Sequence, residues 1–261
     1  AYEITCRDWS QTCALPILFY LVSCSDDSTN PSGTDTMFPM KVGNYWVYDY
    51  YDLDMNNNRV LESKDVDSMY ISKSEDYMGK AAFKFVSFNY STSEESDTYF
   101  YTDNVRLYTN MNSIMPGEGS GFIIPIGGNN GWIKVADNSA SSWIIFDTTF
   151  SGIDMPIEGV GTGKLSGQFK IEGEKGTTKN FTIQGSTIQA QEFKIKYSFT
   201  GTLTIFGIPV QIPFTLTMHQ WYANNIGLVQ SIMDSQNLTF ATFSQDIPGF
   251  ESMLVKYNVQ K

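Results

Sequence analysis

The sequence predicts an all-β protein, mainly antiparallel, and three observations support this fold class. Long stretches alternate between apolar and polar residues with the period of two that is typical of strands. No segment shows the apolar spacing of an amphipathic helix, so we expect little helix. Aromatic residues make up 15% of the chain and charged residues only 17%, a composition that favours pleated, half-buried strands.

The alternation begins near residue 45 in the first half of the chain. Trp46, Tyr48 and Tyr50 share one face of the first predicted strand, and the turn residues at 54–58 then predict a hairpin. The other strand candidates in this half are residues 82–90, 99–102 and 105–108, the last two joined by the two-residue loop Asp103-Asn104.

The second half alternates over longer stretches. Residues 165–171 and 193–205 each have one apolar face, and after a turn at residues 206–209 the apolar face continues through residues 212–218. This pattern implies an antiparallel meander with one dry face and one wet face. Because no helix is predicted to cover the dry face, the sheet must curl, be covered by loops or expose an apolar surface. We therefore expect a curved meander sheet, either a half-barrel or an open barrel, with long loops.

Residues 112–131 are the least strand-like segment of the body. Six glycines surround an apolar island at residues 122–126, which predicts a long loop. Phe122 and Ile124 make this loop a candidate flap over the dry face of the sheet. The alternative is a core plug without a binding role, which is the more common function of such an island.

Charge and cysteine usage exclude several classes of function. Seventeen basic and 28 acidic side chains give a net charge of -11, which repels polyphosphates, so nucleic acid is not an expected partner. Cys6, Cys13 and Cys24 are the only cysteines of the chain. Residues after Cys24 can therefore form neither an internal disulfide nor a thiolate metal site.

The amino-terminal region has the features of an export signal. Residues 14–24 form an apolar run that is too short to span a bilayer as a helix but suits a signal-peptide core. The sequence Leu21-Val22-Ser23-Cys24 resembles the bacterial lipobox, in which the cysteine thiol receives a diacylglycerol. Cys24 is therefore the predicted lipid anchor, with an ordinary buried cysteine as the alternative.

These features divide the chain into three parts. Residues 1–24 are interpreted as the remnant of a signal peptide, although residues 1–13 resemble translated sequencing adapter rather than native sequence. Residues 25–36 are predicted to form a flexible tether. Its first acidic residues, Asp26 and Asp27, either resemble the surface-export signal of Bacteroidota lipoproteins or simply solvate the linker. Residues 37–261 are predicted to form a single β domain.

Two motifs resemble catalytic or phosphate-binding elements only in part. His219 is the single histidine, so any catalytic triad or imidazole metal site would depend on it alone, and we interpret it as a half-exposed sheet residue. Residues 159–164 resemble a phosphate-binding loop, but Glu158 replaces its first glycine and Leu165 its final Ser or Thr. That segment is better interpreted as the start of a strand.

Two further motifs leave alternatives open. Residues 52–63 have the spacing of a calcium loop, but Asn57 stands where glycine is needed and Ser63 where glutamate is needed. The aromatic set Trp46, Tyr48 and Tyr50 could stack on a sugar or fill the core near one end of the sheet, and core packing is the more common role. We assign no catalytic, cofactor-binding or metal-binding residue, and we expect no cofactor.

Three stretches together resemble a family of secreted Bacteroidota lipoprotein domains of uncharacterised function. They are Phe38-Pro-Met-Lys-Val-Gly-Asn-Tyr-Trp-Val-Tyr48, Trp221-Tyr-Ala-Asn-Asn-Ile-Gly-Leu-Val229 and Leu254-Val-Lys-Tyr-Asn-Val259. Such domains open with Pro-x-x-x-Gly-x-x-Trp-x-Tyr and close with Trp-Tyr-Ala-x-x-Val-Gly-Leu-Val and a last strand that ends in Tyr-Asn. The resemblance implies a curved antiparallel sheet and supplies no catalytic residue. It is weakest at the glycine-rich loop and at the turn around Phe206.

The resulting functional hypothesis is a non-catalytic cell-envelope lipoprotein. We expect it to be attached to the outer membrane through Cys24, on the cell surface or on the periplasmic face. Its ligand would be a glycan, an apolar molecule or a partner protein of the envelope. The alternatives are a hydrolase that uses loop carboxylates and a structural component of an envelope complex.

Overall fold

Strands make up almost all of the described protein. The computed structural model describes residues 36–103, 105–110, 131–157, 161–240 and 243–260. Within these ranges the one helical element is the 3-10 turn Leu61–Ser63, which confirms the prediction of little helix. The strands are β1 (Tyr45–Leu53), β2 (Asp65–Tyr77), β3 (Lys80–Asn89), β4 (Glu95–Thr102), β5 (Arg106–Asn110), β6 (Trp132–Asp137), β7 (Ser142–Ile157), β8 (Gly161–Ile183), β9 (Ser186–Ile205), β10 (Ile208–Ala223), β11 (Gly227–Met233), β12 (Gln236–Phe240), β13 (Phe243–Ile247) and β14 (Gly249–Asn258).

One antiparallel sheet contains 12 of these strands, in the order β6-β5-β4-β3-β2-β1-β14-β11-β10-β9-β8-β7. Strands β1 to β6 form one meander and β7 to β11 form a second. The last strand, β14, joins the two because it pairs with β1 on one side and with β11 on the other. Strands β12 and β13 form a separate hairpin. The predicted antiparallel meander is therefore confirmed as two meanders that the carboxyl-terminal strand connects.

The core lies on the predicted dry face of the sheet. On β9, Phe193, Ile195 and Tyr197 are buried, whereas Lys196 and Thr200 on the other face are exposed. Aromatic residues of both meanders belong to the same buried cluster. Each large apolar side chain that is fully buried stabilises the fold by about 1.5–3 kcal/mol relative to an exposed one.

The sheet curls until its two edge strands meet. Trp143 on β7 is buried, and its indole Nε1 donates a 2.8 Å hydrogen bond to the carbonyl of Lys134 on β6. Gly173 on β8 faces the same ring so closely that a Cβ atom would lie 2.0 Å from it. Since β6 and β7 each pair with one strand only, the architecture is an open barrel with one seam.

Two predicted turns connect strands as expected. Tyr101 on β4 pairs with Tyr108 on β5, which confirms this hairpin, although Asn104 in its loop lies outside the described residues. Between β9 and β10, Phe206 and Gly207 form a two-residue turn. The turn is thus shorter than the predicted residues 206–209, because pairing resumes at Ile208.

Several sequence-based expectations concern residues outside the described ranges. These are the signal-peptide remnant with Cys24, the tether except Thr36, and the candidate flap at residues 112–130 with Phe122 and Ile124. The described residues include no helix of the length and apolarity that a membrane crossing requires.

Candidate functional site

A cavity of about 560 Å³ opens beside Tyr48, Asp67 and Asn89, whose side chains share the face of the sheet that carries Trp46. Strands β1 to β4 supply most of its wall, and β11 and β14 contribute one residue each. Hydroxyl, carboxylate and amide groups in this wall lie beside the apolar side chains of Met69, Phe88 and Leu228. We refer to this space as the polar cavity.

Strand register explains why the polar groups meet there. Tyr48 on β1 pairs with Asp67 on β2, which in turn pairs with Asn89 on β3. Residues that are paired across neighbouring strands point to the same face of a sheet. One step along the strands, Trp46 pairs with Met69. The Tyr48-Asp67-Asn89 row therefore lies next to the Trp46 layer of the core.

Asn89 holds Asp67 of the cavity wall and the neighbouring Asp65 in position. Its Nδ2 donates to Asp65 Oδ2 at 2.7 Å and to Asp67 Oδ1 at 2.9 Å. Its Oδ1 accepts a 2.8 Å hydrogen bond from the backbone N–H of Thr92. Both ends of the amide are thus engaged, which fixes the orientation of the two carboxylates.

The two aspartates have pKa shifts of opposite direction. Burial raises the pKa of Asp67, and the nearby charge of Asp65 adds to this shift although Asn89 opposes it. Hydrogen bonds from the Ser91 hydroxyl and from Asn89 lower the pKa of Asp65. Burial, together with Asp52, Asp67 and Asp65, raises the pKa of the Tyr50 hydroxyl to about 12.

The charged groups in the wall of the polar cavity favour some classes of ligand over others. Glu94 and Glu95 join Asp67 as carboxylates of its wall, and none of the described lining residues is basic. An anionic ligand would be repelled, and a purely apolar one would leave the polar groups of the wall without hydrogen bonds. The wall is suited to a ligand with many hydroxyl or amine groups.

The first aromatic set contributes to the core rather than to an open platform. Trp46 is fully buried and Tyr48 is 5% exposed, which confirms their interpretation as core residues. The Tyr48 hydroxyl donates a 3.1 Å hydrogen bond to the carbonyl of Leu228. Tyr50 is half-buried and its ring stacks on Phe250, with centroids 5.7 Å apart.

His219 is a half-buried sheet residue, as expected. Its Nδ1 lies 2.7 Å from Glu192 Oε1, and its ring stacks on Trp221. The other oxygen of Glu192 accepts a hydrogen bond from the backbone N–H of Thr177, beside an irregularity in the β8–β9 pairing. His219 therefore supports the bend of this hairpin.

The calcium-loop and phosphate-loop resemblances correspond to ordinary turn and strand structure. Asp54 Oδ1 accepts hydrogen bonds from the backbone N–H groups of Asn56 and Asn58, so this carboxylate caps its own turn. Residues 161–164 are the first residues of β8, which agrees with their interpretation as the start of a strand. Among the described residues, no group of three or more His, Cys, Asp or Glu side chains is placed to hold a metal ion.

A second cavity of about 580 Å³ lies beside the outer part of the β8–β9 hairpin. Its wall includes Gln191, Tyr222 and Asn224 and contains no charged residue among those described. The Gln191 amide already donates to the carbonyls of Gly176, Thr177 and Glu192. Because the wall of this second cavity carries no charged group among the described residues, we regard the polar cavity, with its carboxylates, as the candidate site.

Sequence reasoning did not identify Asp67 and Asn89 of the polar cavity or Asp65 beside them. Asp65, Asp67 and Asn89 lie on strands, where a polar residue ordinarily indicates the wet face. Their spacing contains no motif, and the residues meet only through the β2–β3 register. The sequence feature that could have pointed to the site is the pair Asp65 and Asp67, two residues apart at the start of β2.

Comparisons with known proteins give two structural neighbours. No protein-family model matches the chain, and no curated protein matches it. The chain is similar to a candidate lipoprotein from Parabacteroides distasonis, with 15% identity and a TM-score of 0.47 over 87% of this chain and 100% of that chain. It is also similar to a candidate exported protein with a YmcC-like fold from Bacteroides fragilis, with 10% identity and a TM-score of 0.40 over 86% of this chain and 99% of that chain. Because both TM-scores are below 0.5, we infer the function of this chain from its own residues.

We predict that Asp67→Asn stabilises the protein at neutral pH. The raised pKa of Asp67 means that the folded state binds its proton more tightly than the unfolded state does, so ionisation lowers stability as the pH rises above the ordinary value of 3.8. The asparagine variant avoids this loss. Its thermal midpoint should exceed that of the wild type at pH 7, and the difference should shrink below about pH 3, where the aspartate is protonated in both states. A midpoint difference that does not depend on pH would contradict the assignment.

Proposed function

We propose that this protein is a non-catalytic glycan-binding lipoprotein of the cell envelope. The observation that carries the proposal is the row of Tyr48, Asp67 and Asn89 in an open cavity whose described wall is acidic and hydroxyl-rich. Carboxylates and amides accept and donate hydrogen bonds to sugar hydroxyls, and Met69 and Phe88 offer apolar surface to sugar C–H groups.

The effect of the Asp67 carboxylate on the stability of the fold supports a role of this residue in binding. A half-buried carboxylate with a raised pKa lowers the stability of the fold at neutral pH. Groups that are retained at such a cost are concentrated at functional sites. Neutral glycans and amino sugars fit this wall, whereas uronic acids, phosphosugars and fatty acids would bring like charge to Asp67, Glu94 and Glu95.

The test is glycan binding with matched variants. We expect the full chain to bind at least one neutral or amino-sugar glycan on an array, and Asp67→Asn and Asn89→Ala each to weaken that binding by about tenfold or more. Asp97→Asn is the control because it removes one carboxylate from the same strand, β4, at a residue that does not line the polar cavity. Titration calorimetry with the strongest array ligand measures the effect.

Two outcomes would contradict the proposal. One is an array without any bound glycan, and the other is an equal loss of affinity in the Asp97→Asn control. Unfolding would not explain a loss in Asp67→Asn, since that variant is expected to be more stable than the wild type at pH 7.

A glycoside hydrolase is the second candidate function. Because one amide nitrogen bonds both Asp65 and Asp67, the two carboxylate oxygens lie within about 6 Å, compatible with the separation of about 5–5.5 Å in retaining glycosidases. Their opposite pKa shifts also resemble those of an acid and base pair. Against it, Asn89 occupies the space between them. Release of reducing sugar from the bound glycan, abolished by Asp67→Asn, would favour the hydrolase over the binding protein.

The proposed location depends on Cys24. Its support is the lipobox with the apolar run before it and the polar tract after it. In a bacterial host that lipidates proteins, and with a native upstream sequence, intact-mass analysis of membrane-extracted protein should show an acylated residue 24. Cys24→Ala should abolish this acylation and increase the share of the protein in the soluble fraction. A wild type that is fully soluble and unmodified would refute the anchor.

A further inference from the structure

The tip of the β9–β10 hairpin exposes two large apolar side chains. Phe206 is 84% exposed, the highest value among the large hydrophobic residues described, and Ile208 is 65% exposed. They flank Gly207 in the two-residue turn between the strands. Both side chains are therefore presented to solvent at the end of a long hairpin.

The backbone of this turn is unfavourable for phenylalanine. Phe206 has φ 51° and Gly207 has φ 79°, so both residues lie in the left-handed region. A turn with two positive φ values favours Asn-Gly or Asp-Gly, and a bulky residue at the first position is strained. Phe206 is thus exposed and strained, and neither packing nor turn geometry explains its presence.

The arm that carries this tip has no charge. No Asp, Glu, Lys or Arg occurs between Lys196 and His219, in a chain of net charge -11. The nearest charged group in the register is Lys164 on β8, which lies opposite Thr204 and forms an ion pair with Asp154. The tip could therefore enter a medium of low dielectric constant without carrying an ionised group with it.

The hairpin also satisfies most of its own backbone hydrogen bonds. Ile205 pairs with Ile208, and pairing between β9 and β10 continues without a shift to Tyr222. The peptide groups of the turn itself are polar. They limit insertion to the interfacial zone of a bilayer, where peptide groups can still form hydrogen bonds with water.

The size of the patch indicates the kind of partner. The exposed parts of Phe206 and Ile208 amount to roughly 300 Å², since an aromatic side chain buries about 150–250 Å². A stable protein interface needs about 800 Å² from each partner. The patch is therefore too small to bind a protein by itself, but membrane-surface segments use one or two such side chains as anchors.

We propose that the β9–β10 tip inserts Phe206 and Ile208 into the interfacial region of an electrically neutral lipid surface. This contact is independent of the ligand of the polar cavity. It is also distinct from acylation at Cys24, to which it would add a second point of attachment.

The test uses the full chain with Cys24→Ala, so that no acyl chain contributes, and vesicles of pure phosphatidylcholine. In a flotation assay we expect this protein to bind. The double variant Phe206→Asn, Ile208→Thr should lower the bound fraction by about tenfold at the same lipid concentration. Leu61→Ser is the matched control, because Leu61 is 71% exposed on another part of the surface, and it should bind like its parent. Binding should persist in about 0.5 M salt because it is not electrostatic.

The double variant should also keep its fold. Asn-Gly is the preferred sequence for this turn, so the thermal midpoint should stay the same or rise. A loss of vesicle binding together with an unchanged or higher midpoint would support the proposal. Absence of binding by the parent protein, or an equal loss in Leu61→Ser, would overturn it. So would vesicle binding of the double variant at the parental level.

Discussion

The hydrogen bond from the Trp46 indole to the carbonyl of Ile226 is the interaction on which the rest of the structure depends. The donor and acceptor are 2.6 Å apart, and the indole is fully buried against the rings of Phe38 and Phe85. Gly227 lies so close to Phe38 that a Cβ atom would approach its ring within 2.9 Å. The bond therefore fixes the start of the domain against the turn that precedes β11.

The same contact brings together the three stretches that carry the family resemblance. The first contributes Phe38 and Trp46, the second Ile226 and Gly227, and the third is β14, which pairs with β1. Asn44 links the segment before β1 to the residues after β14. Its Oδ1 accepts a hydrogen bond from the backbone N–H of Gln260, and its Nδ2 donates one to the carbonyl of Pro39. In this chain these residues have a structural role, because they hold the two meanders together.

This closure also positions the candidate site. Tyr48 lies two residues after Trp46 on the same face of β1, and its hydroxyl repeats the arrangement by donating to Leu228. From there the register leads across β2 to Asp67 and across β3 to Asn89. The Trp46 layer is buried, and beside it Asp67 and Asn89 remain partly exposed in the polar cavity. A rigid core layer therefore supports a polar site with fixed side chains.

The parts of the fold that could be predicted from sequence are those in which local alternation decides the outcome. The dry face of β9 is an example, because one-residue slips would expose Phe193 and Ile195. The position of β14 between β1 and β11 could not be predicted, since it depends on pairing between distant residues and not on any local pattern. The β12–β13 hairpin was not predicted, since neither of its five-residue strands shows sustained alternation of apolar and polar residues.

The same distinction applies to the site. Tyr48 was recognised as an aromatic strand residue, but its neighbours in the cavity were not. Asp67 and Asn89 have the composition of a solvated strand face, and only the curvature of the sheet turns that face inward. The pKa shift of Asp67 follows from this burial and has no counterpart in the sequence.

Hydrogen exchange of Trp46→Phe tests the central role of the Trp46 bond most directly. The substitution keeps an aromatic ring but removes the donor of this partly buried hydrogen bond to Ile226, which costs about 0.5–1.5 kcal/mol. If the bond unites the two meanders, amide exchange should accelerate together in β1, β11 and β14, while the separate β12–β13 hairpin keeps its wild-type rates. Acceleration confined to β1 would contradict this account, because it would show that β11 and β14 are held in place without Trp46.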